Sequence, residues 1–218
     1  MKIDLHIHSK YSSDSQSTPR DIIKVAKKRG LSGIAITDHN SMQGYRSIKK
    51  NTPLTIIPGI EISTDSGHII ALGIQDNFSI ERRSVEETLE LIYEQGGIAV
   101  APHPYRFWSG LGEHVVKKNR WSAVETLNGR SSILSNKLAS ELAKKLDSSV
   151  VGGSDSHSLV TIGKAYTLMG SASTWEDVID AIERGKTSVA GSSRTFRETC
   201  GYAGKALREW AGRGFNRI

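Results

Sequence analysis

Most of the histidines in this chain, together with several carboxylates, lie where apolar, strand-like runs end. The nine side chains are His6, His8, Asp14, His39, Glu61, His68, His103, Asp155 and His157. Six of the seven histidines belong to this set, and only His114 does not. Imidazoles and carboxylates from so many segments can act together only if the fold brings the segment ends to one cavity. The pattern therefore predicts a shared metal site and metal-assisted chemistry.

Strand-like and helix-like segments alternate along the chain. Apolar runs predict strands at 2–7, 33–38, 55–62, 68–74, 98–103, 123–128, 150–155, 165–169 and 187–191. Capping and stop signals predict helices at 18–30, 84–96, 134–146, 174–184 and 201–211. Such alternation predicts parallel strands joined by helical crossovers.

The scatter of the candidate ligands favours a closed sheet over an open one. In an open doubly wound sheet the C-terminal strand ends lie in a row, so side chains from many strands could not reach one point. In a barrel the same ends converge at one face. We therefore predict an α/β barrel forming a single domain at 1–193, followed by a basic helical appendage at 194–218.

Composition excludes several other classes of protein. The chain has one cysteine, Cys200, so an intrachain disulfide is impossible and a reducing compartment is expected. The N-terminal segment MKIDLHIHS has no long apolar core, and no later run approaches the length of a membrane span. We therefore expect a cytoplasmic protein without a membrane partner.

The net charge of +6 is concentrated near the C-terminus. Residues 194–218 contain six basic and two acidic side chains, which gives this segment +4. A basic segment could attract nucleic acid or another polyanion. A solvated helix face is the preferred interpretation of this segment.

Two pairs of candidate ligands share a two-residue spacing. His6 and His8 flank Ile7, and alternate side chains of a strand point to the same face. Asp155 and His157 repeat this spacing at another strand end. One such pair could be a core histidine beside a surface histidine, but two pairs favour a mixed nitrogen and oxygen site. Such a site suits zinc, manganese or iron.

The remaining candidates each allow two interpretations. Glu61 lies in an apolar stretch, where a buried carboxylate needs a partner, so it could pair with an arginine or bridge two cations. Asp38 could be a ligand, but a role in orienting a histidine is preferred. His103 lies between two prolines that fix its loop. His68 begins its strand, so the barrel rule alone leaves a surface histidine as a serious alternative.

The motifs HIHSKYSSD, TDHN, GIEIS, HP and SDSH, in this order, resemble those of the PHP (polymerase and histidinol phosphatase) family, from residue 2 to about 168. The resemblance implies a distorted (β/α)7 barrel, similar to a TIM barrel, with two to three divalent ions of manganese, zinc or iron, magnesium also being possible. It implies a first site of His6, His8, Glu61 and Asp155, a second of Asp14, His39 and His157, and a third of Glu61, His68 and His103. The segment 159–190 is similar to the C-terminal extension of short stand-alone PHP proteins. The large inserted domain of relatives that act on nucleoside bisphosphates and RNA ends is not found in this sequence.

The resemblance implies a metal-dependent phosphoesterase that uses a metal-activated water on a phosphomonoester or on a nucleotide or oligonucleotide phosphodiester. Asp155 or His157 is the candidate to accept the proton. Arg106 and Arg130 are candidates to bind the phosphate, with surface arginines as the alternative for each. Two other functions stay open: a non-catalytic PHP-like scaffold that binds nucleic acid, as in a ribonuclease P subunit, and an amidohydrolase-type metal hydrolase.

Overall fold

The computed structural model describes residues 1–48, 52–74, 83–195 and 198. Within these ranges the strands are β1 (Lys2–Ile7), β2 (Gly33–Ile36), β3 (Thr55–Ser63), β4 (His68–Leu72), β5 (Ile98–Ala101), β6 (Ala123–Asn128), β7 (Val150–Gly153), β8 (Ala165–Met169) and β9 (Thr187–Gly191). The helices are α1 (Pro19–Lys28), α2 (Gln43–Arg46), α3 (Val85–Glu94), α4 (Gly112–Lys118), α5 (Ile133–Lys145) and α6 (Trp175–Glu183).

The predicted elements agree with this list in kind and place. All nine predicted strands are present, and four of the five predicted helices correspond to α1, α3, α5 and α6. The short helices α2 and α4 were not predicted, because neither has a side-chain cap to mark its start. The predicted helix at 201–211, and most of the basic segment at 194–218, lie outside the described residues. In the described ranges, no helix combines the length and apolar character needed to cross a membrane.

The strands form one sheet in the order β7-β6-β5-β4-β3-β2-β1-β8-β9. The C-terminal ends of β1 and β7 approach each other, where Ile7 and Ser156 form a parallel bridge and His8 N donates to Ser156 O at 2.9 Å. Farther from this edge β8 enters the seam, and Gly152 N donates to Thr167 Oγ1 at 2.8 Å. The sheet is therefore nearly closed, and the predicted barrel is confirmed.

A buried carboxylate reinforces this seam. Asp4 in β1 is fully buried and accepts hydrogen bonds from Ser154 N at 2.8 Å and Gly163 N at 2.7 Å. Burial raises the pKa of Asp4 to about 6, against the lowering effect of these hydrogen bonds. The Asp4 side chain thus links β1 to the residue after β7 and to the segment just before β8.

The prediction that the strands are parallel throughout is wrong. β4 runs antiparallel to β3 and β5, and β8 runs antiparallel to β1 and β9. The β3–β4 connection spans only four residues, which suits a hairpin and is too short for a parallel crossover. Because β4 is reversed, its first residue, His68, pairs with Ser63 at the end of β3. The strand start therefore lies at the same edge as the C-terminal ends of β3 and β5.

Apolar side chains divide between the inside of the barrel and the helices around it. Neighbouring residues of one strand go to opposite sides: Ile70 packs with the interior cluster, and Ile69 with the cluster under α3 to α5. Helix α6 contributes Val178, Ile179 and Ile182 to the interior cluster. The interior is thus apolar on the side that α6 covers, which leaves the C-terminal edge of the parallel strands for polar side chains.

The tight packing between β1 and β7 can be tested by adding a single methyl group at the contact. A Cβ on Gly153 would lie 2.4 Å from His6 Cβ and 2.8 Å from His6 N. We expect Gly153→Ala to destabilise the fold by roughly 1–3 kcal/mol, as overpacking of a tight core does. Thermal unfolding measures this, with Gly170→Ala as the control because a Cβ there would meet nothing within 4 Å. Equal melting temperatures for both variants would contradict a tight seam.

Candidate metal centre

Six imidazoles gather at the C-terminal edge of the barrel. They come from the end of β1, the loops after β2, β5 and β7, and the first residue of β4. Ring centroids are separated by 5.2 Å for His6 and His8, 4.5 Å for His8 and His39, 5.1 Å for His39 and His68, 5.9 Å for His68 and His103, 5.5 Å for His103 and His6, and 4.1 Å for His8 and His157. The six predicted histidines therefore line one cavity.

Glu61 of β3 occupies the centre of this ring and is 1% exposed. Its Oε1 lies 2.9 Å from His68 Nδ1 and 3.0 Å from His103 Nε2. Its Oε2 lies near the other side of the ring, at 3.1 Å from His8 Nε2, 3.3 Å from His6 Nε2 and 3.3 Å from His39 Nδ1. The two carboxylate oxygens thus face different groups of imidazoles, which is the arrangement that a ligand bridging two cations needs.

Asp155, in the loop after β7, approaches His6 and His8, which also lie near Glu61 Oε2. Its Oδ1 lies 3.5 Å from His8 Nε2 and 3.7 Å from His6 Nε2. The four residues of the first predicted site therefore surround one point. Burial raises the pKa of Asp155, but the charges of Arg106 and then His6 outweigh it and hold that pKa well below its ordinary value.

The second predicted site is also assembled, with one addition. Asp14 Oδ2 lies 2.7 Å from His157 Nε2 and 3.9 Å from His39 Nε2. Ligand atoms of these three residues and of His8 all lie within 4.8 Å of one another. Residues of the third predicted site meet at Glu61 Oε1, so all nine side chains are brought together. Their roles as ligands stay predictions.

The two arginines proposed to bind phosphate lie at the edge of this cluster and contact it. Arg106 Nη2 lies 2.5 Å from Asp155 Oδ2 and donates to Asn128 Oδ1 at 2.8 Å. Arg130 Nη1 lies 2.9 Å from His157 Nε2 and 3.5 Å from Asp155 Oδ1. Both side chains are about a quarter exposed, at 24% and 27%. They are therefore part of the site rather than remote surface arginines.

Sequence reasoning missed Glu125, a carboxylate buried in β6. It lies 3.0 Å from His6 Nδ1, and it accepts from His103 N and Asn128 Nδ2, both at 2.9 Å. A carboxylate on Nδ1 fixes an imidazole so that its Nε2 faces the cavity. The signal was available: a lone glutamate in the apolar run AVETLN needs a buried partner.

Asp38 orients a histidine through a serine, not directly. Its carboxylate accepts from Ser9 N at 2.6 Å and from Ser12 Oγ at 3.1 Å. Ser12 Oγ lies 3.1 Å from His8 Nδ1. Because the hydroxyl donates to Asp38, it accepts from His8 Nδ1–H, which leaves His8 Nε2 with a lone pair for the cavity. The preferred role for Asp38 is thus supported in an indirect form.

Backbone conformation places two of the candidate ligands. His103 has φ 29° and Asp155 has φ 51°, both in the left-handed region that L residues rarely occupy. Each such residue costs of order 1–3 kcal/mol and persists only where its surroundings hold it. Pro102 and Pro104 flank His103, and Glu125 accepts its N–H. Strain at these positions is typical of a functional site.

The protonation states favour metal binding. Burial lowers the pKa of His8 to about 3 and that of His103 to about 4, so both imidazoles are neutral near pH 7 and keep a lone pair. Burial raises the pKa of Glu61, but the charges of His6 and then His68 hold it well below its ordinary value. Neutral His8 and His103 beside ionised Glu61 form a suitable donor set for a divalent cation, and His6, whose pKa the surrounding carboxylates raise well above its ordinary value in spite of burial, would release its proton on binding one.

Unsatisfied polar atoms support the same conclusion. Within the described part of the chain, His8 Nε2, His39 Nδ1 and His103 Nδ1 are buried without a hydrogen-bond partner. The first two lie 3.1 and 3.3 Å from Glu61 Oε2, but not in hydrogen-bonding geometry. Buried groups left in this way are costly. Coordination of a cation would use the imidazole lone pairs and balance the carboxylate charge, so the residues present fit a metal centre.

A cleft of about 500 Å³ leads from this cluster to the surface. Glu61 and Asp155 lie at its base, and Arg106 and Arg130 line its wall. Arg194, the first basic residue of the segment 194–218, also lines it. The candidate metal centre is therefore accessible to a small anionic ligand.

Two family models match this chain. The model described as PHP domain matches residues 4–147, and the model described as PHP-associated matches residues 134–187. An uncharacterized protein of Methanocaldococcus jannaschii is 39% identical over 162 residues, which are 67% of this chain and 94% of the relative. A 3′,5′-nucleoside bisphosphate phosphatase of Chromobacterium violaceum is 37% identical over 79 residues, which are 33% of this chain and only 27% of that enzyme.

The fold is similar to that of solved structures. A two-domain protein of Bacteroides vulgatus that contains a predicted PHP-like metal-dependent phosphoesterase superposes with a TM-score of 0.70 at 17% identity. The alignment covers 88% of this chain and 64% of that protein. At this identity the likeness establishes the fold and not the reaction.

The position of Glu125 generates a prediction about metal affinity. Glu125→Gln keeps the size of the side chain but removes the charge that holds His6 Nδ1–H. We expect the affinity for Mn²⁺ or Zn²⁺ to fall about 10- to 100-fold, as is typical when a carboxylate behind a ligating histidine is lost. Calorimetric titration of the metal-free protein measures this. Glu94→Gln, an exposed substitution at the end of α3, is the control, and equal affinities for both variants would contradict the role of Glu125.

Proposed function

This chain belongs to the PHP family, and from that premise we propose that it hydrolyses phosphoesters with two or three divalent cations held among its nine clustered donors. The observation that carries the proposal is Glu61, whose two buried carboxylate oxygens face separate groups of imidazoles. Such a ligand serves two cations at once. When bound, the cations supply a nucleophilic water at neutral pH and charge stabilisation for the phosphate oxygens.

The chain's own residues would divide the remaining tasks. His6, His8, Glu61 and Asp155 would hold the first cation; Asp14, His39 and His157 the second; and Glu61, His68 and His103 the third. Eight of the donors lie on strands or within a few residues of a strand end, and Asp14 lies in the longer connection between β1 and α1. Preorganised charges of this kind lower the barrier because they need no rearrangement during the reaction.

Two arginines would bind the phosphate. Arg106 and Arg130 line the wall of the cleft, and the guanidinium group of each contacts Asp155, one of the nine donors. Guanidinium groups match the geometry of phosphate oxygens. A pair of arginines beside the metal cluster favours an anionic phosphoester over the neutral amide or ester substrate of an amidohydrolase-type enzyme.

His157 is the better candidate for the proton acceptor than Asp155. Asp155 is fully buried and its pKa is held well below the ordinary value, so it is a weak base. The side chain of His157 is 13% exposed, lines the cleft and lies 2.7 Å from Asp14, which could orient it. A neutral imidazole that gives one ring nitrogen to a cation carries its proton on the other, so His157 can act as the acceptor only in the form in which the second cation is not bound to it.

The scaffold alternative is disfavoured by the completeness of the site. A binding protein derived from this barrel would not need nine donors, two arginines and an open cleft. Nucleic-acid binding by the segment 194–218 stays a prediction, because most of that segment lies outside the described residues.

The experiment that tests the proposal is a substrate screen with defined metals. Metal-free protein would be supplied in turn with Mn²⁺, Zn²⁺, Fe²⁺ and Mg²⁺ and assayed against phosphomonoesters, phosphodiesters, and an amide and a carboxylic ester. We expect hydrolysis of phosphoesters in at least one metal form and none without metal. Turnover of the amide or carboxylic ester alone would favour the amidohydrolase alternative, and no turnover of any compound would favour the scaffold.

A substitution at the bridging position gives a second prediction. Glu61→Gln preserves the size of the side chain but removes the charge that lets it serve two cations. We expect phosphoesterase activity to fall by several orders of magnitude and the metal content, measured by mass spectrometry of the purified protein, to fall below the wild-type count. Full metal content with near-normal turnover would show that Glu61 is only a structural carboxylate.

Arg106→Ala should behave differently. The guanidinium group contributes a phosphate contact and a positive charge beside Asp155, and removing a positive charge does not weaken cation binding. We therefore expect a higher KM or a lower kcat while metal content is retained. Loss of metal in this variant would instead identify Arg106 as a residue that holds Asp155 in place.

A further inference from the structure

Two large aromatic rings stand exposed beside the candidate metal centre. Phe107 is 86% exposed and Trp108 is 87% exposed, and their rings make a T-shaped contact with centroids 4.7 Å apart. They directly follow Arg106 in the loop between β5 and α4. Neither the metal cluster nor the arginine contacts described above make use of them.

The loop that carries the rings is tightly held. Arg106 N donates to His103 O at 2.9 Å, and Gly110 N donates to Arg106 O at 2.9 Å, so the segment folds back on itself. His68 N donates to Ser109 O at 3.0 Å and ties the loop to β4. A Cβ on Gly110 would lie 2.5 Å from Pro104 O, which shows how closely the two sides of the loop pack. The rings are thus presented on a fixed backbone and do not belong to a frayed segment.

The rings form a ridge between two clefts. One is the cleft of about 500 Å³ that contains Glu61, Arg106 and Asp155. The other, of about 520 Å³, runs over the β3–β4 turn at 63–68. Phe107 and Trp108 line both. A ligand that extends from the metal centre in this direction meets the rings of Phe107 and Trp108, which follow Arg106 by one and two residues in the sequence.

We propose that this aromatic ridge binds the nucleobase of a nucleotide substrate while Arg106 and Arg130 hold its phosphate. The proposal rests on the phosphoesterase function proposed above and adds the substrate class. Any nucleobase can stack on an aromatic side chain, because every base has a π-face. Exposed aromatic rings that adjoin arginines match a ligand with a planar ring and an anionic group, whereas a purely apolar ligand would make no use of the two positive charges.

The test compares two phosphomonoesters that differ only in the base: adenosine 5′-monophosphate and ribose 5-phosphate. The measured quantity is the ratio of their kcat/KM values in the metal form that the screen identifies. For Trp108→Ala and Phe107→Ala we expect the ratio to fall about 5- to 100-fold, the range that corresponds to the loss of one base-stacking contact. Trp108→Phe should keep most of the ratio, since it retains an aromatic face. Val160→Ala removes an apolar side chain that is 79% exposed outside the cleft and should leave the ratio unchanged.

Binding measurements separate failure of this proposal from failure of the proposed function. Calorimetry of the metal-loaded wild-type protein should give tighter binding for adenosine 5′-monophosphate than for ribose 5-phosphate, and Trp108→Ala should abolish the difference. If no phosphoester is hydrolysed but the binding difference is present, the phosphoesterase function fails and the base-binding ridge stands. Equal ratios and equal affinities in wild type and variants would overturn the ridge. Loss of a dimer in Trp108→Ala, seen by light scattering, with no change in the ratio would assign these rings to a contact between copies.

Discussion

The structure depends on one buried carboxylate. Glu61 is enclosed by imidazoles on both of its oxygens, and these imidazoles come from four separate strands or loops. An ionised carboxylate is excluded from a protein interior unless opposite charge compensates it. Against the effect of burial, the charges of His6 and then His68 lower the pKa of Glu61, and Arg106 pairs with Asp155 in the same cluster. Divalent cations between the donors would supply further positive charge, so the composition of the core fits a metal centre.

Reversal of a single strand makes this arrangement possible. A barrel of parallel strands presents only C-terminal strand ends at its catalytic face. β4 runs in the opposite direction after a four-residue turn, so that its first residue, His68, reaches Glu61 Oε1. On the far side, the seam between β1 and β7 brings Asp155 to His6 and His8. The reversed strand and the seam therefore both add donors to the same centre.

The sequence was sufficient to predict which donor side chains lie together, but not the residues that support them. Donors such as His6, His39 and Asp155 interrupt or end apolar runs, and this pattern can be recognised in the sequence alone. The direction of β4 depends on pairing between strands, which periodicity does not report, so the fully parallel sheet was wrong. Glu125 contacts His6, which is more than a hundred positions away in the sequence, and Ser12 contacts His8 across a loop turn. Nothing in the spacing of a glutamate in AVETLN indicates which imidazole it holds.

The loop between β5 and α4 connects the buried donor cluster with the solvent-exposed wall of the cleft. It begins with His103, whose strained backbone and buried N–H bond to Glu125 fix it against the metal cluster. Three residues later Arg106 reaches Asp155, and the next two side chains leave the cluster altogether for solvent. Catalytic donors must keep sub-ångström positions, and so they lie on strand ends and strained turns. The exposed tip of a loop suits the proposed recognition of substrate, because substitutions there cost the fold little. In this chain the same eight residues, 103–110, contain both a donor and the exposed rings, so under the proposed function a change at the tip would alter the choice of phosphoester without moving the donors.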